Sequence, residues 1–199
     1  MRIAGFILLI MITACWTAPA AAGQSRLTSI ANADCIFAPI GDEAGEDEDQ
    51  LKTCPGLGGA QVLVNALGIR LRIGIRWPKG PSPQKAIWVT EAWSAGTAVD
   101  WRGVSDNKGF KPYAAIIRMK FQKEDTPAAG DQVLAVIRVG RGIACVMGAV
   151  DVGANRNANR LAHALADARP SFNCGTDKPT VGGVTTAAAS RIAKGLAEQ

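Results

Sequence analysis

The chain has 199 residues, of which 48% are hydrophobic, with 22 Lys and Arg against 17 Asp and Glu and a net charge of +5. That length suits one domain able to bury a real core without relying on cross-links. Beyond the N-terminus no stretch approaches the roughly 20 apolar residues needed to span a bilayer, and a single histidine excludes a His-rich metal site.

The N-terminus reads as an export signal over residues 1–22. Met1-Arg2 gives a positive start, Ile3 to Ile12 an apolar run, and Ala18-Pro19-Ala20 and Ala20-Ala21-Ala22 small-residue cleavage motifs. Ile12-Thr13-Ala14-Cys15 also has the form of a lipobox. Two fates follow: cleavage near Ala22, which discards Cys15, or lipid anchoring through Cys15. Either way the expected location is periplasmic or extracellular. Residues 23–34, polar and small, are predicted to be a flexible leader.

Four cysteines remain after cleavage: Cys35, Cys54, Cys145 and Cys174. An even count in an exported chain implies disulfides. Proximity favours Cys35–Cys54 and Cys145–Cys174 among the three possible pairings. Zinc sites use closely spaced pairs; here 18, 90 and 28 residues intervene, so no metal or other cofactor is expected. Six acids crowd positions 42–49, read as a solvated loop; with these and Arg2 set aside, 21 bases face 11 acids. A basic body attracts polyanions, although solubility alone also explains it.

Cys54-Pro55-Gly56-Leu57-Gly58-Gly59 is a turn. The clearest strand follows. Ile69, Leu71, Ile73, Ile75 and Trp77 alternate with Arg70, Arg72, Gly74 and Arg76, so one face is apolar and the other carries three arginines. Val62-Leu63-Val64 is its expected partner. The prolines of 78–83 interrupt the sheet, and Ile87 to Thr90 forms a short strand. Trp88, Trp93 and Trp101 fall in the least regular stretch, where they either line a groove or pack a loop onto the sheet. Val104 to Gly109 is turn-like. Strands are predicted over Tyr113–Gln122, Gln132–Val139 and Ile143–Val152. A helix runs from Asn155 or Asn157 to Ala168, capped by asparagine and stopped by Pro170. Residues 176–183 are loose, and Thr185 to Ala197 forms a terminal helix.

The expected fold is α+β: an antiparallel sheet of five or six strands, one main helix packed on it and a C-terminal helix. The disulfide-bonded domain spans 35–175, and 176–199 is an extension.

No standard catalytic motif is present. Arg70, Arg72 and Arg76 form a candidate anion-binding surface, which Arg118 and Lys120 extend if their strands align; the alternative is a solvated face or pairing with the acidic loop. His163, with Asn159 and Asp167 one helical turn to either side, reads as an ordinary helix-surface residue. Asp151, Asn155, Asn157 and Asn159 lack the spacing of a calcium loop. Glu91, Asp100 and Asp106 are the carboxylates a glycan hydrolase would pair.

Cys54-Pro55-Gly56, the Gly68–Ile75 strand and Pro112 to Arg118 resemble a family of small, uncharacterised exported bacterial proteins. Cys145 to Asp151, Ala154-Asn155 and Ala158 to Ala162 are similar to that family's second-Cys strand and helix. The resemblance runs from about Cys35 to Cys174 and implies export, two disulfides and one domain, but no activity. The resulting expectation is a non-catalytic binding module of the cell envelope, its partner another envelope protein or an anionic polymer. The alternative is a carboxylate-dependent hydrolase of envelope glycans, or an inhibitor of one. There is no DNA-binding motif.

Overall fold

The computed structural model describes residues 23–39, 50–78, 86–122 and 131–194. The signal segment, the acid-rich positions 42–49, most of the proline stretch, the 124–130 connection and the end of the predicted C-terminal helix lie outside them.

The described residues form two sheets and two helices. The larger sheet holds β1 (Gln24–Ser29), β7 (Ser94–Asp106), β8 (Gly109–Lys120), β9 (Gln132–Gly140), β10 (Ile143–Asp151) and β11 (Thr180–Val181), in that spatial order. The smaller holds β2 (Ile36–Pro39), β3 (Gln50–Pro55), β4 (Gln61–Leu67), β5 (Arg70–Arg76) and β6 (Ile87–Ala92), also in order. All pairings are antiparallel except β10 with β11. The helices are α1 (Ala158–Ala168) and α2 (Ala187–Lys194). The class is α+β, but the single sheet expected from the sequence is two sheets.

The alternation of side chains explains the layering. Val62, Val64, Ile73 and Ile75 of the small sheet share one core with Val99, Trp101, Ala115, Ile117, Met119, Val133, Ala135 and Ile137 of the large one. Ala188, Ala189, Ile192 and Ala193 of α2 complete that core, with α2 lying against β9 and β10. The intervening positions of the large sheet, Ala114, Ile116, Leu134, Val136 and Val150, face the other way. There they meet Ala158, Ala162 and Ala166 of α1. A sheet apolar on both faces needs a cover on both.

Three segments differ from expectation. The predicted leader instead contributes β1, paired with β7 from Gln24↔Gly103 to Ser29↔Ala98. It is an edge strand, largely exposed on its first four residues, and so carries no apolar period. Of the irregular tryptophan stretch, Trp88 lies in β6, Trp93 between the strands and Trp101 in β7, which is thirteen residues long. Its pairing with β8 slips between Ala95 and Val99 and between Arg102 and Gly103, which breaks the two-residue pattern. The Val104–Gly109 turn shrinks accordingly: Val104 to Asp106 are strand, and Gly109 turns the chain with φ 108°. Finally, Thr180 and Val181 of the supposedly loose 176–183 segment pair with Gly148 and Ala149.

Both expected disulfides are formed. Cys35–Cys54 has a Cα separation of 4.4 Å and Cys145–Cys174 one of 5.8 Å. The second ties β10 to the segment after α1. Paired cysteines of this kind are typical of chains that fold in an oxidising compartment. No helix among the described residues is long and apolar enough to cross a membrane. Replacing Cys145 and Cys174 together with Ser should lower stability by about 3 kcal/mol, seen as a lower urea midpoint.

Candidate functional site

Two polar surfaces stand out, one on each sheet. The first lies where α1 overhangs β7. Four helical residues rise about 6 Å, and two strand residues advance about 6.6 Å. His163 and Asp167 on α1 therefore match Asp100 and Arg102 on β7. His163 Nε2 lies 2.5 Å from Asp100 Oδ2. Arg102 donates from Nε to Asp167 Oδ1 at 3.0 Å and from Nη2 to Asp167 Oδ2 at 2.5 Å. The same guanidinium donates to Ser25 Oγ at 2.8 Å and to the Gly23 carbonyl at 2.5 Å. Tyr113 enters from the irregularity in the β7–β8 pairing and donates its hydroxyl to Asp167 Oδ1 at 2.5 Å.

The electrostatics follow from these contacts. Arg102 is buried, and its hydrogen bonds to Asp167 outweigh desolvation and hold its pKa above the ordinary value. Burial alone would raise Asp167, but the bonds from Arg102 and Tyr113 prevail and hold it below the usual carboxylate range. Burial, followed by the bond to Asp167, pushes Tyr113 up to about 12. Beside it, Arg138 donates to the Tyr113 carbonyl at 2.9 Å and the Phe172 carbonyl at 3.3 Å, and its desolvation lowers its pKa.

The second surface is the outward face of the small sheet. Its register sets out two cross-strand rows. One is Ile36, Thr53, Leu63, Gly74, Trp88; the other is Ala38, Leu51, Asn65, Arg72, Glu91. Arg72 pairs with Glu91, and Arg76 donates twice to Gln61 Oε1 at 2.9 and 3.1 Å. Leu63 and Asn65 are buried in the middle of this face, while Arg70 and Ile36 are exposed at its rim.

The five predicted anion-binding residues do not meet. Arg70, Arg72 and Arg76 face outward from the small sheet. Arg118, bonded to Gln132 Oε1 at 2.9 Å, and Lys120 lie in alternation with Ile116 on the α1 side of the large one. The tryptophans are dispersed too. Trp77 and Trp101 are core, Trp88 lies over Gly74, and Trp93 is exposed. The three candidate acids are equally scattered: Glu91 pairs with Arg72, Asp100 with His163, and Asp106 with Lys111 near the β7–β8 turn.

His163 was expected to be an ordinary helix-surface residue; it reaches across to Asp100 instead. Arg102, Tyr113 and Asp167 carried no signal as a group, because their partners are distant in the chain. The only local hint was that His163 and Asp167 share one helix stripe while Asp100 and Arg102 share one strand face. Asn157 makes no side-chain cap to α1. Asn155 instead donates to the Asp151 carbonyl at 2.9 Å and accepts from Val184 N at 3.0 Å. The Asp151 carboxylate is taken by Ala154 N and Thr186 Oγ1, both at 2.8 Å, so this corner fastens the C-terminal segment. Among the described residues no three His, Cys, Asp or Glu side chains gather as a metal site.

Two measurements test the α1–β7 cluster. Tyr113 is the only tyrosine, so phenolate absorbance reports it alone. It should titrate at about 12 in the folded protein and near 10 in denaturant. Because Asp167 is depressed when folded, the unfolded chain binds protons first. Its contribution is full above about pH 4 and is lost as pH falls through the folded value. Asp167→Asn should therefore be less stable than wild type at neutral pH, and the two should converge on acidification, as followed by denaturant titrations across pH 2–7.

Compared with protein-family models, with curated proteins and with solved structures, the chain matches none, so its likeness to the exported family draws no support from them.

Proposed function

We propose that this is a non-catalytic binding module of the cell envelope, engaging an anionic partner through the arginine-bearing face of the small sheet. The observation that carries this reading is the separation of Glu91, Asp100 and Asp106, each held by a basic group on a different part of the fold. A glycan hydrolase needs two carboxylates about 5–10 Å apart across one bond, whereas each of these three acids is engaged in an ion pair of its own. The oxidising-compartment disulfides and the basic body favour an envelope setting.

The binding face combines guanidinium groups with the apolar side chains of Ile36 and Trp88 in adjacent rows. Arginine suits such a mixed surface, because its planar fork meets carboxylates and phosphates in two places at once. Arg72 remains half-exposed in its pair with Glu91, so its outer edge is available.

Because the basic candidates lie on opposite outer faces, charge reversal tests the choice. Arg70→Glu with Arg76→Glu should abolish retention on a heparin column, while Arg118→Glu with Lys120→Glu should leave most of it. Equal losses would reduce the effect to net charge. Release of soluble fragments from cell-wall glycan by the purified protein, abolished by Asp100→Asn, would overturn the reading in favour of the hydrolase.

A further inference from the structure

Gly23 has a place in the α1–β7 cluster that no ordinary strand residue needs. Its carbonyl accepts from Arg102 Nη2 at 2.5 Å, and Arg102 Nη1 holds Ser25 two residues on. A Cβ at position 23 would stand 2.0 Å from the Tyr113 hydroxyl, 2.5 Å from Asp167 Oδ1 and 2.8 Å from Arg102 Nη2. Only glycine fits there without displacing the cluster. Gly23 is also the residue that follows Ala20-Ala21-Ala22, the small-residue motif that ends the export signal.

We propose that export cleavage between Ala22 and Gly23 creates an α-ammonium group that seats on Asp167 and completes the cluster. The proposal rests on the export reading of the N-terminus and is independent of the binding face. The step is a peptide hydrolysis by a signal peptidase of the host. Water adds across the Ala22–Gly23 bond, Ala22 leaves as a carboxylate with the signal, and the Gly23 nitrogen takes up protons.

The chemistry of Asp167 suits this occupant. A carboxylate offers about four acceptor positions. Asp167 receives three hydrogen bonds, two on Oδ1 from Arg102 Nε and the Tyr113 hydroxyl and one on Oδ2 from Arg102 Nη2, so the remaining position is on Oδ2. Two carboxylates, Asp100 and Asp167, share the cluster with one guanidinium and the half-exposed His163. An uncleaved Gly23 supplies a single neutral N–H. A cleaved one supplies a cation with three donors, and charge-assisted bonds of that kind are roughly twice as strong as neutral ones. Processing thereby fastens β1, and with it the open edge of the large sheet, to α1.

The test uses the full precursor, exported by a bacterial host and purified in its mature form. N-terminal sequencing should begin at Gly23. The Gly23 amine should react with an acylating reagent at least about tenfold more slowly in the native protein than in urea, as expected of a group held in a charge-assisted bond. Gly23→Ala should be cut at the same bond, lose that protection and unfold about 4 °C lower. A mature N-terminus elsewhere, including a lipidated Cys15, overturns the proposal. Equal acylation rates in folded and unfolded wild type overturn it without reference to any variant. So does a Gly23→Ala protein with a protected amine and an unchanged midpoint. None of these readouts involves heparin retention, so failure here is distinct from failure of the binding reading.

Discussion

The large sheet is apolar on both faces, and this double burial organises everything around it. Ile117 and Met119 point one way from β8, Ala114 and Ile116 the other, and all four are buried. Each apolar face left in water would forfeit about 25 cal/mol per Å². One cover is the small sheet together with α2; the other is α1. The alanines of α1, at Ala158, Ala162 and Ala166, let the helix lie close to strands whose facing residues are already large. Gly148 serves the same approach, since a Cβ there would meet Leu165 at 2.7 Å and the Thr180 carbonyl at 2.5 Å.

The covers leave an exposed margin at β7 and β1, where α1 overhangs without apolar partners. The fold closes that margin with polar groups. Arg102 is withdrawn from water, which would be costly alone, but its guanidinium hydrogen bonds to the oxygens of Asp167, Ser25 and Gly23. A buried ion pair is tolerated when its remaining hydrogen-bonding positions are satisfied. The cluster orients β1 and α1 against one edge. Asp100 and His163 extend the same line of contacts, with the imidazole partly open to solvent.

Much of the core could be read from sequence. The alternation in β5 located its apolar and arginine faces correctly. The change of period after Asp151 located α1, and the order of cysteines favoured both disulfides. Elements failed where burial was slight or the pattern irregular. The exposed edge strand β1 has no apolar repeat, β7 is broken by register shifts, and β11 has two residues. The extension of the arginine patch to Arg118 and Lys120 failed in another way. Alternation placed each basic residue on a face of its own strand, but not on a common face, because Arg72 and Arg118 belong to different sheets.

The sequence by itself determined the class, that the cysteines outside the export signal pair, and the inward or outward sense of the regular strands, since each depends on residues a few positions apart or on the simple count of cysteines; which cysteines pair was fixed by the fold. Tertiary structure decided that there are two sheets, that His163 meets Asp100, and that Arg102 gathers Gly23, Ser25 and Asp167 from 79, 77 and 65 residues away. Such contacts are set by how twisted sheets stack and where a helix crosses them. Local periodicity holds no record of that distance, so the side chains that define the cluster were visible one at a time and joined only by the fold.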